Sequence, residues 1–145
     1  MTDSPANGAA ISDPDAIRNI IGGFSLCLDV DPVENLKRLL DSHVVIETRG
    51  ADRVGGTDYV ERGLVGYLAK MRRLRDSGKA GPDSLRRHVV VPITVNVEGD
   101  NAGARSHFMF ATVKPATLHS LGMYEDSFRR TRAGWRLTHR VIVYG

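Results

Sequence analysis

The stretch from Arg86 to Gly145 constrains this chain most. It reads as four long β-strands in succession: RRHVVVPITVNVEGD, NAGARSHFMFATVKP, TLHSLGMYEDSFRRTR and GWRLTHRVIVYG. Turn residues separate them at Glu98-Gly99-Asp100-Asn101, Lys114-Pro115-Ala116 and Arg132-Ala133-Gly134. The part before Arg86 reads almost entirely as helices. Helices first and an antiparallel meander afterwards is the pattern of an α+β domain rather than a βαβ one. A sheet that curves around helices encloses a pocket, and His88 stands near the start of the first long strand.

Residues 1–11 are small and polar and read as a disordered tail, leaving 12–145 as a single domain. Asp13-Pro14 signals a helix start, with Asp13 as N-cap. Ile17, Ile20, Ile21, Phe24, Cys27 and Leu28 then form one apolar stripe, which places Cys27 in the core. Gly22 and Gly23 interrupt the stripe where close packing against the sheet is expected. Asp31-Pro32-Val33-Glu34 repeats the start signal for a second helix running to about Leu40. A short strand over 43–49 and a loop over 50–56 follow. Thr57 is read as the cap of a third helix that extends to about Arg75, with Val60, Leu64, Leu68 and Met71 at helical spacing.

A chain of 145 residues buries roughly 70% of its unfolded surface and needs no disulfide or metal to fold. One cysteine excludes an internal disulfide and a thiolate-rich metal site. His43, His119 and His139 have no ligand spacing. No segment approaches the roughly 18 apolar residues of a membrane span. The N-terminus has no basic or apolar leader, so the chain is expected in the cytoplasm. Net charge is +3, and the arginine clusters are interspersed with acids, so nucleic acid is not an expected partner. Walker, GxGxxG, HExxH and CxxC motifs are absent, and no cofactor is expected.

Alternation along the first long strand puts Val89, Val91, Ile93, Val95 and Val97 on one face. His88, Val90, Pro92, Thr94 and Asn96 share the other, a mixed face of the kind that lines ligand pockets. Pro92 implies an edge strand or a bulge. The candidate acid is Asp29 at the end of the first helix, because a carboxylate beside a histidine fixes its tautomer for general-base work. His107 and Tyr124 are further pocket candidates on the second and third long strands, and Trp135 is a core filler.

Asp13 to Arg18, Asp29, Arg87-His88, Glu98 to Asp100, Gly122 to Asp126 and Gly134 to Arg140 occur in an order and spacing that covers nearly the whole chain. Together they resemble the SnoaL-like members of the nuclear transport factor 2-like superfamily. The resemblance implies a cone: a curved antiparallel sheet closed by three N-terminal helices around an apolar pocket, often dimeric through the sheet's outer face. It implies cofactor-independent acid–base chemistry on an apolar, oxygenated small molecule, as in polyketide cyclases, scytalone and bile-acid dehydratases and steroid isomerases. Asp29 and His88 stand where the dehydratases carry an Asp–His pair, and Arg140 corresponds to an arginine on the last strand of the bile-acid enzymes. The expected substrate-binding set is Tyr124, His107, Arg140, Thr94, Phe24 and Tyr59, with an apolar small molecule and a second copy of the chain as partners. The dehydratases place a tyrosine beside the helix-end aspartate, where this chain has Phe24, Ser25 and Leu28. Val89 and Pro92 replace a further histidine and asparagine. That thinner polar set suits a polyketide cyclase better than a dehydratase. It also leaves open a non-catalytic binding or dimerisation module, or the accessory subunit of a ring-hydroxylating dioxygenase.

Overall fold

The computed structural model describes residues 10–145, so most of the tail read over 1–11 lies outside the described residues. Helix α1 spans Asp13–Asp29 and buries Ile17, Ile20, Ile21, Phe24 and Cys27. Its N-cap is Ser12 rather than Asp13: the Ser12 hydroxyl accepts the Asp15 N–H at 3.3 Å. Asp13, now in the first turn, accepts hydrogen bonds from Arg130 and from the Trp135 indole. Trp135 is in the core as expected. Gly23 packs on a helical segment rather than the sheet, since a Cβ there would lie 3.2 Å from Leu39.

The second helix is a 3₁₀ segment, Val33–Arg38, capped by Pro32 without a side-chain hydrogen bond. Its two buried residues, Val33 and Leu36, are three apart, the eclipsed spacing of a 3₁₀ turn. Strand β1 covers Leu40–Arg49. The third helix starts later than Thr57. Val60–Arg62 forms strand β2, paired with β1, and Gly63 turns the chain at φ 89° before helix α2, Leu64–Asp76. The helical spacing of Val60 was coincidental; β-sheet pairing with β1 overrides it.

Strands β3 (Arg86–Glu98), β4 (Asn101–Val113), β5 (Ala116–Thr131) and β6 (Gly134–Tyr144) form the expected antiparallel meander. The curved six-stranded sheet has the order β2-β1-β6-β5-β4-β3, and β1 runs parallel to β6, so the sheet is mixed. Both helices pack on the sheet, and their apolar faces meet Leu40, Val44, Ile46, Phe128 and Leu137 in one core. Among the described residues, no helix is long and apolar enough to cross a membrane.

Pro92 occupies edge strand β3 and adjoins a bulge, because the register with β4 slips between Pro92 and Thr94. The extra residue, Ile93, inverts the alternation. Val89, Val91 and Ile93 point outward, whereas Val95 and Val97 pack against the core. The five residues read as one aliphatic face are therefore divided between two faces.

Candidate active site

A cavity of about 270 Å³ lies between the helices and the sheet, near the small end of ligand-site volumes. Asp29, the last residue of α1, meets His88, the third residue of β3, at its wall. Asp29 Oδ2 accepts the backbone N–H of His88 at 2.7 Å. Asp29 Oδ1 lies 2.7 Å from His88 Nδ1. A carboxylate only accepts, so Nδ1 carries a proton, and in the neutral imidazole the lone pair is on Nε2. Nε2 has no hydrogen-bond partner among the described residues, and His88 lines the cavity. One carboxylate thus fixes backbone, ring orientation and tautomer together. Phe110 packs against the imidazole with ring centroids 4.7 Å apart.

Arg75 holds the acid in place from the other side. Its guanidinium donates from α2 to the Cys27 carbonyl at 2.7 Å and to the Asp31 carbonyl. The Cys27 carbonyl is one that the end of α1 leaves without a helical partner, and Asp31 lies just past the C-cap Val30, so Arg75 pins the turn that carries Asp29.

A stack of rings and one cation crosses the cavity from sheet to helices. Phe108 on β4 stacks on Tyr124 on β5 at 4.5 Å and 10°. The Arg140 guanidinium on β6 lies 3.9 Å from the Tyr124 ring and 4.5 Å from Phe24 on α1. Phe24 in turn meets Tyr67 on α2 at 5.8 Å. Arg140 is fully buried, and Asp126 accepts its Nε and Nη2 hydrogens, each at 2.7 Å. Its Nη1 makes no hydrogen bond among the described residues.

All four tyrosines of the chain, Tyr59, Tyr67, Tyr124 and Tyr144, line this one cavity. Burial pushes the Tyr59 phenol up to about 12 and the Tyr67 phenol well above its ordinary value. It raises Tyr124 and Tyr144 as well, outweighing at Tyr124 the opposing pull of Arg140. Each phenol is therefore a protonated donor at neutral pH. The four come from the approach to β2 and from α2, β5 and β6; Tyr59 and Tyr124 were in the expected set, and Tyr67 and Tyr144 add to it.

Of the residues expected from sequence, His88, Asp29, Tyr124, Arg140, Phe24 and Tyr59 line the cavity. Thr94 and His107 do not. The bulge at Ile93 turns Thr94 onto the outer face, where it lines a separate groove with Asn96 and Arg105. His107 alternates with the inward residues Ser106 and Phe108 and is exposed on the same outer face. Sequence reasoning missed Tyr67, Tyr144, Phe108, Phe110 and Ser120. Two-residue alternation from Tyr124 would have found Ser120, and alternation from Arg140 would have found Tyr144. Among the described residues, no group of three His, Cys, Asp or Glu side chains converges as metal ligands would.

The SnoaL-like domain family matches residues 9–141. The chain belongs to that family. An uncharacterized protein from Mycobacterium tuberculosis is 28% identical over 137 residues, spanning 92% of this chain and 86% of its own. Among solved structures, a nuclear transport factor 2-like protein from Novosphingobium aromaticivorans is 26% identical with a TM-score of 0.72, covering 91% of this chain and 81% of its own. A Nostoc punctiforme protein of unknown function with a cystatin-like fold is 18% identical with a TM-score of 0.74, covering 92% and 91%. The same fold recurs at 15%, 20% and 22% identity in a candidate scytalone dehydratase, a candidate ketosteroid isomerase and the β subunit of a candidate ring-hydroxylating dioxygenase. Their TM-scores are 0.68, 0.62 and 0.69.

Proposed function

We propose that this protein is a cofactor-independent enzyme that moves a proton next to a carbonyl in an apolar, oxygenated small molecule of polyketide type. The observation that carries this reading is His88, held by both oxygens of Asp29 with Nε2 unpartnered in a cavity walled by four phenols. His88 Nε2 takes the proton from the C–H beside the substrate carbonyl. The C–H electron pair becomes the enolate C=C, and the carbonyl oxygen becomes an oxyanion. Asp29 stabilises the imidazolium formed. Phenol O–H groups and Arg140 Nη1–H are the available donors to the oxyanion. From the enolate, the imidazolium proton goes to another carbon in isomerisation. In dehydration it goes to a leaving hydroxyl, whose C–O bond breaks to release water. In cyclisation the enolate carbon instead attacks a second carbonyl, forming a C–C bond, and the proton goes to the new alkoxide. Orientation in the aromatic stack suits the last of these.

Exchange in D₂O tests the reading without the true substrate. Wild type is expected to accelerate deuterium incorporation beside the carbonyl of a bicyclic ketone such as tetralone, followed by NMR. His88→Ala and Asp29→Asn are expected to lose that acceleration by about 10²–10⁴-fold while keeping the wild-type melting temperature to within a few degrees. Full exchange activity in either variant would remove the dyad from the mechanism. An accessory-subunit role predicts instead no exchange and co-purification with a larger iron-containing chain.

The sheet's outer face supports pairing with a second copy. Val89, Val91, Ile93, Met109 and Leu121 are each between 42% and 54% exposed. Val89, Met109 and Leu121 stand directly opposite one another across three strands. This contiguous apolar row is the proposed homodimer interface.

A further inference from the structure

The cavity mouth carries charge that the proton transfer does not use. Lys79 and Arg86 line the cavity, and Arg86 also borders a second recess of about 300 Å³ shared with Phe110, Ser120 and Tyr144. Among the described residues, of the three cations that line the cavity Arg140 is ion-paired and Lys79 and Arg86 are not. Among the described residues, Asp29 is the only carboxylate lining either recess, and His88 occupies both its oxygens.

The Arg86 guanidinium is also held in place, against the backbone of Lys79. Arg86 Nη1 donates to the Lys79 carbonyl at 3.2 Å, and its backbone N–H donates to Ser84 Oγ at 3.1 Å. Ser84 Oγ–H donates to the Gly81 carbonyl at 2.7 Å. Gly81, at φ 93°, lies over Arg75 so closely that a Cβ would come within 2.6 Å of its Cδ. This rim therefore rests on the same arginine that pins the turn carrying Asp29. Arg86 retains Nε and Nη2 without partners among the described residues.

We propose that the substrate carries a carboxylate, anchored at the mouth by Arg86 and Lys79; this rests on the cavity being the site of the proton transfer above. Two unpaired cations at the opening of an apolar cavity select an anion attached to an apolar body, and arginine's planar fork matches a carboxylate. Arg86 precedes His88 by two residues on the same face of β3, on the order of 7 Å along the strand. The acid group therefore sits at the outer end of the molecule, and the carbon that loses its proton sits deeper, beside Nε2. The substrate class is an apolar ring compound with a free carboxylate on an arm that reaches the rim.

Calorimetric titration of the full chain with naphthoate and with the corresponding naphthamide tests this. Naphthoate is expected to bind at least about tenfold more tightly, and added salt is expected to weaken naphthoate alone. The double variant Arg86→Gln, Lys79→Gln is expected to abolish the preference while leaving naphthamide affinity unchanged. Equal affinity in wild type, no naphthoate binding at millimolar concentration, or a preference that survives the double variant each overturns the anchor. His88→Ala is expected to keep the preference. A preference without deuterium exchange by wild type sinks the catalytic reading and leaves the anchor standing.

Discussion

Arg140 and Asp126 face each other directly across β6 and β5 and join through two hydrogen bonds of 2.7 Å, both side chains almost wholly out of solvent. The pair holds a cation in the middle of the aromatic stack, so it shapes the cavity as well as charging it. Removing one partner strands the other charge in the core. Asp126→Asn is expected to destabilise the protein by about 3–5 kcal/mol, measured by urea unfolding. Replacing both residues by apolar side chains of similar volume should cost far less, while abolishing the proposed proton exchange. A single variant as stable as wild type would show that the pair is not the structural cation holder.

The four tyrosines give a pH signature. A phenol whose folded pKa exceeds its unfolded value of about 10 stays protonated in the native state while the unfolded chain ionises. The unfolded state then binds fewer protons, so this contribution is complete below pH 10 and is lost as pH rises through the folded values. For Tyr59, raised to about 12, the difference is worth up to about 3 kcal/mol. Phenolate absorbance is therefore expected to stay low at pH 10 and to appear near pH 12 or above, together with unfolding. A normal titration of most phenols near pH 10 in folded protein would contradict their burial.

Gly122 lies on β5 where a Cβ would fall 2.0 Å from the Val143 carbonyl oxygen and 3.0 Å from the Phe108 ring. Gly122→Ala is expected to cost about 3 kcal/mol and to push Phe108 and Tyr144 into the cavity. Chemical denaturation and probe binding should fall together. Retention of both would mean that the strand yields easily there.

The outer face makes a hydrodynamic prediction. Val91 is half exposed on the outer face of β3, between Val89 and Ile93. If the proposed dimer forms through this face, Val91→Lys is expected to convert it to monomer in light scattering without lowering the thermal midpoint. A monomeric wild type at all concentrations would end the pairing proposal.

The sequence showed which strand would carry the histidine and which helix would end on the acid, though 59 positions separate Asp29 from His88. It left their meeting to the packing of α1 on β3. The tyrosine cluster was half legible for a similar reason: Tyr59 and Tyr124 were expected at the pocket, and Tyr67 and Tyr144 were not. Tyr59, Tyr67, Tyr124 and Tyr144 come from separate elements, and no local spacing says that four elements face one space. Thr94 was misplaced by a single residue: alternation is dependable only in an unbulged strand, and Ile93 shifts its phase.

By itself, the sequence determined the β3–β6 meander, its three turns and the apolar stripe of α1, because strand alternation, turn chemistry and helical periodicity are local properties of the chain. Only the tertiary structure decided the parallel pairing of β1 with β6, the capture of residues 60–62 as strand β2 and the division of β3's aliphatic residues between two faces. Those outcomes depend on partners distant in sequence, whose hydrogen bonds and buried area override local preference.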